Sequence, residues 1–313
     1  MAIRGLAKTF GSGLIFRHRI RAVRDVSLII LPGQTLAVVG ESGSGKTTLA
    51  RLAAGLVFRD RGEVVFKGRD IGSWTRKALR RSLQMVFQDA DGSLNPGLTV
   101  RSLLMEPLRL HGQSRRQAAH AVAGLLDMVN LTPDLLDRHP FELSGGQRQR
   151  IGLARAMSLE PELVIADEPV ASLDRSVQAH VLDLFLDFQK RQGVSYLYIS
   201  HDLDTVRAIA HHVAVMLGGV FVETGPVQAV FERPAHPYTR SLMAAQALDD
   251  PAVIPMPVVE KPSSMLDQGC HYAQTCPWTD DACRASLPPL TALDPNHKIR
   301  CFHLQIKNQK TRS

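Results

Sequence analysis

The segment Thr35–Val39 is a short, nearly continuous apolar run that ends at a glycine-rich turn, and similar runs stand at Leu163–Ala166, Ser195–Ile199 and Val213–Leu217. Runs of this length, rich in β-branched and aromatic residues, predict strands of a parallel sheet buried on both faces. Between them the spacing changes. Val177, Val181, Leu184, Phe185 and Phe188 share one face at helical spacing, and Val122, Leu125, Leu126 and Val129 do much the same. Strands alternating with helices predict an α/β fold with a mixed, mostly parallel sheet. Residues 90–160 carry two helical patterns and no strand pattern, so they read as a helical insertion within a larger unit of residues 1–245. Pro251, Pro255, Pro257 and Pro262 rule out a helix or central strand and mark residues 246–262 as a linker. Residues 263–313 then form a small, turn-rich C-terminal extension that contains all four cysteines.

With 44% hydrophobic and 21% charged residues, the 313-residue chain has the make-up of a globular protein and not of a disordered one. No apolar run reaches the roughly 18 to 20 residues of a membrane-spanning helix. The first residues, with Arg4 and Lys8 and no long apolar centre, do not read as a secretory signal, so the chain is expected in the cytoplasm. Charge adds one ambiguity, since 37 Lys plus Arg against 30 Asp plus Glu leave +7. The clusters are Arg17, Arg19, Arg21 and Arg24, then Arg76, Lys77, Arg80 and Arg81, then Arg115 and Arg116, and finally Lys298, Arg300, Lys307, Lys310 and Arg312. No aromatic residues interleave them, which favours solvated faces drawn to anionic lipid over a nucleic-acid groove.

The chemistry begins at Gly40-Glu-Ser42-Gly43-Ser44-Gly45-Lys46-Thr47, which follows one predicted strand and opens a helix near Lys46. That is the context of a phosphate-binding loop. Its backbone N–H groups and the helix N-terminus point at negative charge, Lys46 neutralises the β- and γ-phosphates, and the Thr47 hydroxyl holds Mg²⁺. Leu163-Val-Ile-Ala-Asp167-Glu168 is an apolar strand ending in two acids, a costly arrangement unless it serves a cation or a hydrogen-bond network. Asp167 is placed to reach the Mg²⁺ and Glu168 to polarise an attacking water; alone, the pair would read as a strand-end acid and a helix cap. Leu143-Ser144-Gly145-Gly146-Gln147 opens a helix running toward Met157. It reads both as an S-x-x-Q capping box and as a second anion site, without lysine, for a γ-phosphate offered by another molecule. Gln88 and His201 each end an apolar run and would be structural if met alone.

In this order, the phosphate loop, Gln88, the 143–147 motif, the acid pair, Ser172-Leu173-Asp174 and His201 resemble the ATP-binding subunits of ABC transporters over roughly residues 1–245. Phe87-Gln88-Asp89, Ser93-Leu94-Asn95-Pro96, His236-Pro237-Tyr238-Thr239 and the cysteine-bearing tail look most like the peptide/nickel importer branch, that of oligopeptide and dipeptide permeases. Departures are small: Val170-Ala171 stands where the family has Thr-Ser, and Leu217-Gly218-Gly219 is looser than usual. The resemblance implies a P-loop ATPase in which Gly40, Ser42, Gly43, Ser44, Gly45, Lys46, Thr47 and Thr48 hold ATP and Phe10 stacks on adenine. It implies Gln88 as a Mg²⁺ and water contact that senses the permease, and His201 as the γ-phosphate switch. It further implies a head-to-tail pair in which Ser144, Gly145, Gly146, Gln147 and Asp174 of one subunit complete the site of the other. The partners it implies are a second ATPase subunit, two membrane permease subunits and a solute-binding protein, with this chain on the cytoplasmic face of the membrane. No nucleic acid is expected: an ATPase acting on nucleic acid or ribosomes would call for tandem cassettes or a long coiled-coil insertion.

Cys270, Cys276, Cys283 and Cys301 sit with five, six and 17 residues between neighbours, unlike the paired spacing of zinc ribbons. Clustered thiols in a cytosolic setting are metal ligands before they are disulfides. Four thiolates suit an iron–sulfur cluster, and the resemblance implies one, since related importers have a similar C-terminal region that can carry [4Fe–4S]. Zinc and metal-free thiols stay open, with His271 and His303 as bystanders. A redox role driven by ATP would need these thiols near the phosphate loop, from which they stand over 220 residues away.

Overall fold

The computed structural model describes residues 1–12, 18–88, 90–171, 173–246 and 268–303. The motif residues Asp89 and Ser172 lie outside the described residues, as do Arg17, the proline-rich stretch, Lys307, Lys310 and Arg312. The chain opens on an antiparallel pair, β1 (Ala2–Ser12) and β2 (His18–Ile29), followed by β3 (Thr35–Val39) and α1 (Lys46–Ala53). β4 (Arg61–Phe66) and β5 (Arg69–Asp70) then complete a four-stranded sheet of order β2-β1-β4-β5. α2 (Arg76–Ser82) leads into β6 (Leu83–Val86). From there the chain turns helical, with α3 (Ala90–Ser93), α4 (Val100–Leu110), α5 (Arg115–Asp127) and α6 (Gly145–Met157), and no strand among the described residues of this insertion.

β7 (Leu163–Asp167), α7 (Arg175–Gln192), β8 (Ser195–Ile199), α8 (Leu203–Ile209) and β9 (His212–Leu217) return to the strand–helix alternation. β10 (Val220–Pro226), α9 (Val227–Glu232) and α10 (Pro237–Gln246) follow. Beyond them, α11 (Asp281–Ala285) precedes a hairpin of β11 (Thr291–Asp294) and β12 (His297–Ile299). The main sheet has eight strands in the order β11-β12-β10-β9-β3-β8-β7-β6, of which β9, β3, β8, β7 and β6 are parallel. No helix among the described residues is long and apolar enough to cross a membrane.

The central strands are buried on both faces because each one feeds two cores at period two. Ala37, Val39, Val164, Ala166, Tyr196, Tyr198, Val213 and Val215 face the core shared with α6 and α7, where Phe185 meets Tyr196 edge-on at 5.1 Å. The alternate residues Leu36, Val38, Leu163, Ile165, Leu197, Ile199, Ala214 and Met216 face α1 and the antiparallel sheet, packing with Leu49, Leu52, Leu6 and Val26.

Three features depart from the expectations. The antiparallel sheet was not among them, although Val26, Leu28 and Ile30 are buried while Ile29 between them is 67% exposed, a half-buried strand pattern. The tail is also more than turns: β12 pairs with β10, placing Ile299 opposite Glu223, and so extends the main sheet. Its strands are too short for a period to register. In α2, Arg80 is not a solvated charge but donates to the Ala54 carbonyl at 2.8 Å.

One buried pair fastens the tail to the sheet. Glu223, fully buried on β10, accepts from Ala235 N and His236 N at 2.8 Å each and pairs with His297 Nε2 on β12 at 2.7 Å. Removing the imidazole leaves a buried carboxyl oxygen without one of its hydrogen-bond partners. His297→Ala should therefore lower stability by about 2 kcal/mol, read from the urea midpoint of the purified chain.

Candidate functional site

The C-terminal ends of the five parallel strands lie along one edge, where open α/β sheets gather ligands. Gly40 follows β3, Gln88 follows β6, Glu168 follows β7, His201 follows β8 and Gly218 follows β9. An open cleft of about 680 Å³ at this edge is lined by Ser42, Gly43, Gly45, Lys46, Thr47, Thr48, Gln88, Glu168 and His201. Phe10 and Ile20, facing each other across β1 and β2, close one side of it. Lys8 holds its ammonium 5.4 Å from the centre of the Phe10 ring. Ile20, Arg21, Ala22 and Gly218-Gly219 also line the cleft, although none of them was read from sequence as a site residue. No local motif marks them, because they reach the cleft through the β1–β2 pairing and the β9–β10 turn.

The loop takes its shape from steric and hydrogen-bond constraints. Gly45, the residue before α1, has φ +106°, and a Cβ there would lie 2.1 Å from the Ala22 carbonyl oxygen, so glycine is required. Lys46 is 5% exposed, and its ammonium donates to the carbonyls of Gly40 at 2.7 Å and Glu41 at 2.9 Å. Burial pulls its pKa down, and the carboxylates of Glu168, Asp167 and Glu41 pull it back up. Thr47 Oγ1 donates to Asp167 Oδ1 at 3.2 Å, bringing the two Mg²⁺ candidates together. Burial raises the Asp167 pKa first of all, opposed by the Thr47 hydrogen bond.

Glu168 sits at φ +48°, a left-handed conformation that costs a non-glycine residue of order 1 kcal/mol or more and recurs at functional sites. The turn aims its carboxylate into the cleft, where Gln88 Nε2 donates to Oε2 at 3.0 Å and His201 Nδ1 lies 3.2 Å from the same oxygen. Val170 and Ala171, the small departure noted above, tighten this turn: Ala171 N donates to the Glu168 carbonyl at 3.3 Å and Val170 is buried.

The 143–147 motif is elsewhere. Ser144, Gly145, Gly146, Gln147 and Asp174 do not line this cleft. Ser144 caps α6 by accepting from Gln147 N at 3.2 Å while Gln147 Oε1 accepts from Ser144 N at 2.9 Å, so the capping box is present. Asp174 caps α7, accepting from Val177 N at 2.9 Å, and that hydrogen bond holds its carboxyl below the usual range. A Cβ on Gly146 would come within 2.6 Å of Val177 Cγ1, so close packing of the two capped helices is what this glycine serves within the chain.

The four thiols are reduced and approach one another, each with its pKa raised by burial, that of Cys270 to about 11. Among the described residues, no three of the cysteine sulfurs lie within 4.8 Å of one another; the compact set is Asp280, Cys283 and His303. His303 Nε2 lies 3.6 Å from Cys283 Sγ, and His271 Nε2 accepts from Arg24 Nη1 at 2.6 Å. Sequence distance also misjudged the tail's position: Tyr272, between Cys270 and Cys276, packs on Tyr238, whose hydroxyl accepts from Glu41 N of the phosphate loop at 3.0 Å.

Comparison with known proteins agrees with this geometry. The ABC transporter family model matches residues 23–171, and the model of the oligopeptide/dipeptide transporter C-terminal region matches residues 222–283. Among relatives, y4tS of Sinorhizobium fredii, named a probable peptide ABC transporter ATP-binding protein, is 45% identical over 290 residues, covering 90% of this chain and 82% of its own length. The glutathione import ATP-binding protein GsiA of Salmonella typhimurium is 48% identical over 260 residues, 80% of this chain but 42% of the relative. Among solved structures, a dimeric post-hydrolysis state of the ATP-binding cassette MJ0796 bound to ADP and Pi superposes with TM-score 0.66 at 25% identity, over 72% of this chain and 98% of the other. CbiO1 of Clostridium perfringens, part of the cbiONQ ABC transporter complex, gives 0.65 at 26% identity over 74% of this chain and 90% of its own. Nine-tenths of the chain thus aligns at 45% identity with an ABC transporter ATP-binding protein, on a cassette fold, and the protein belongs to the ABC transporter ATP-binding family as an ATPase.

Proposed function

We propose that this chain is the ATP-hydrolysing subunit of an importer for peptides, nickel or a related small solute, driving transport through separate permease subunits at the cytoplasmic face of the membrane. The observation that carries the chemistry is the gathering of Lys46, Thr47, Asp167, Gln88, Glu168 and His201 at one strand edge. Phosphoryl transfer to water needs positioning and charge neutralisation more than covalent help. In this reading Phe10 stacks on the adenine and the loop N–H groups cradle the phosphates, with Lys46 drawing charge from the β- and γ-oxygens. Mg²⁺, when bound, neutralises phosphate charge, and Thr47, Asp167 and Gln88 are the oxygen donors suited to it. Glu168 orients a water and takes up its proton. The water oxygen adds to the γ-phosphorus, the bond to the β-phosphate oxygen breaks, and ADP and inorganic phosphate leave, while His201 contacts the γ-phosphate.

Two features support the partners. Ser144, Gly145, Gly146, Gln147 and Asp174 stand outside the chain's own cleft, which suits the cleft of a second ATPase subunit. A groove of about 260 Å³ between the Gln88 strand end and the helical insertion, with Phe87, Leu110 and Leu56 partly exposed along it, suits a helix of a permease subunit. Delivery of solute by a binding protein follows from the importer reading.

The reading of the thiols as ligands of an iron–sulfur cluster rests on four cysteines, Cys270, Cys276, Cys283 and Cys301, gathered in one small C-terminal unit, a donor set that suits [4Fe–4S], with zinc as the alternative.

Glu168→Gln should retain ATP binding while steady-state turnover falls by roughly 10² or more; unchanged turnover would remove Glu168 from the mechanism and with it this assignment of the cleft. Lys46→Ala should weaken ATP in an equilibrium titration, and equal affinity would contradict the loop. Anaerobically purified protein should carry iron and sulfide, about four irons per chain, whereas one zinc per chain would reject the cluster.

A further inference from the structure

The Glu41 peptide, at the start of the phosphate loop, is held from two sides. Its carbonyl accepts from the Lys46 ammonium at 2.9 Å, and its N–H donates to the hydroxyl of Tyr238, 197 residues later, at 3.0 Å. Tyr238 is 2% exposed, and burial pushes its phenol pKa far up, so the hydroxyl remains neutral. Its place is fixed from below, because its own N–H donates to His236 Nδ1 at 3.0 Å and His236 N donates to buried Glu223. Its ring then packs edge-on against Tyr272, with centroids 5.7 Å apart.

Tyr272 belongs to the thiol loop as much as to this aromatic pair. Its N–H faces the Cys270 sulfur, and its carbonyl accepts from Cys276 N at 2.9 Å. Cys270 N in turn donates to the Cys283 carbonyl at 2.8 Å, and the Tyr272 hydroxyl shares a 2.6 Å hydrogen bond with Ser241 of α10. The next residue toward the N-terminus makes a second connection. His271 lies against Gly218, where a Cβ would come within 2.5 Å of its ring. Across the chain, Arg24 Nη1 donates to His271 Nε2 at 2.6 Å. Arg24 N donates to the Gly219 carbonyl at 2.8 Å, and Gly219 N donates to the Ser44 carbonyl of the phosphate loop at 2.9 Å.

We propose that Tyr238 and His271 are positioning residues through which the C-terminal thiol loop holds the phosphate loop, so that nucleotide in the cleft and the state of the four thiols are energetically coupled. The proposal rests on the ATP-binding reading of the cleft. Its physical basis is competition for Lys46: phosphate draws the ammonium that otherwise binds the Glu41 carbonyl, and the hydrogen bond to Tyr238 then carries that peptide. Anything that shifts Tyr272, such as alkylation of Cys270 or Cys276 or loss of what they hold, moves Tyr238 and the peptide with it. Coupling of this kind runs both ways: if bound nucleotide favours the packed arrangement of the thiol loop, disturbing that arrangement weakens nucleotide binding.

The test uses the full purified chain under anaerobic conditions, with iodoacetamide as the thiol probe, mass spectrometry at each cysteine, and equilibrium titration with Mg·ADP. Saturating Mg·ADP should slow modification of Cys270 and Cys276 about threefold or more, and the alkylated chain should in turn bind ADP more weakly, by about threefold or more in the equilibrium titration. Tyr238→Phe, which keeps the ring and removes the hydroxyl, should bind ADP about fivefold more weakly, the size of one neutral hydrogen bond, and its thiols should no longer respond to nucleotide. Wild-type chain that binds ADP while its thiols react at one rate with and without nucleotide overturns the coupling alone. Chain that binds no ADP overturns the coupling together with the ATPase reading beneath it. The wild-type comparison decides the matter even if the variant fails to fold.

Discussion

A lysine ammonium at 5% exposure stays charged only where carbonyls and carboxylates replace the water it has lost. Around Lys46 they do: two loop carbonyls accept its hydrogens, while Glu41, Asp167 and Glu168 supply opposing charge. Nearly every local feature of the cleft serves this one cation. Gly45 lets the loop approach β2 closely enough to place it, Thr47 engages Asp167 beside it, and the left-handed turn at Glu168 brings the second acid into the same space. A triphosphate entering such a cleft meets a cation already desolvated and oriented, which is the electrostatic preorganisation that phosphoryl transfer depends on.

The scaffold makes that precision affordable. Because odd and even residues of β3, β7, β8 and β9 anchor in separate cores, none of these strands slides without exchanging the two sets of side chains. The residues just past their ends inherit that register. Gln88, Glu168 and His201 converge on a shared hydrogen-bonding geometry although they are separated by long stretches of chain.

The parts legible in the sequence were those written in consecutive residues. The phosphate loop, the acid pair after an apolar strand and the S-x-x-Q helix start each carry their structural context within about ten positions, and each strand and helix beside them forms where the spacing placed it. The antiparallel sheet was written too, in the alternation of Val26, Leu28 and Ile30; β1 and β2 are neighbours along the chain, whereas the pairing of β1 with the far-off β4 leaves no local mark. His236-Pro237-Tyr238-Thr239 was recognisable as a family segment without a physical role. That role depends on a backbone N–H 197 residues away and on a ring in the tail, neither of which spacing encodes. The same holds for Gly146, whose packing against Val177 is visible only once α6 and α7 are side by side.

The pairing of β12 with β10 changes where the sheet ends. β10 would otherwise present a row of open hydrogen-bonding groups at the rim, with the buried acid Glu223 facing whatever took the place of its imidazole partner. Instead the outermost position falls to β11, four residues long and with alternate side chains in solvent, the short and polar kind of border that resists adhesion between molecules. A cassette trimmed at the proline-rich stretch would therefore trade a guarded border for a sticky one, and the tail is better regarded as the last staves of the sheet than as an appendage to it.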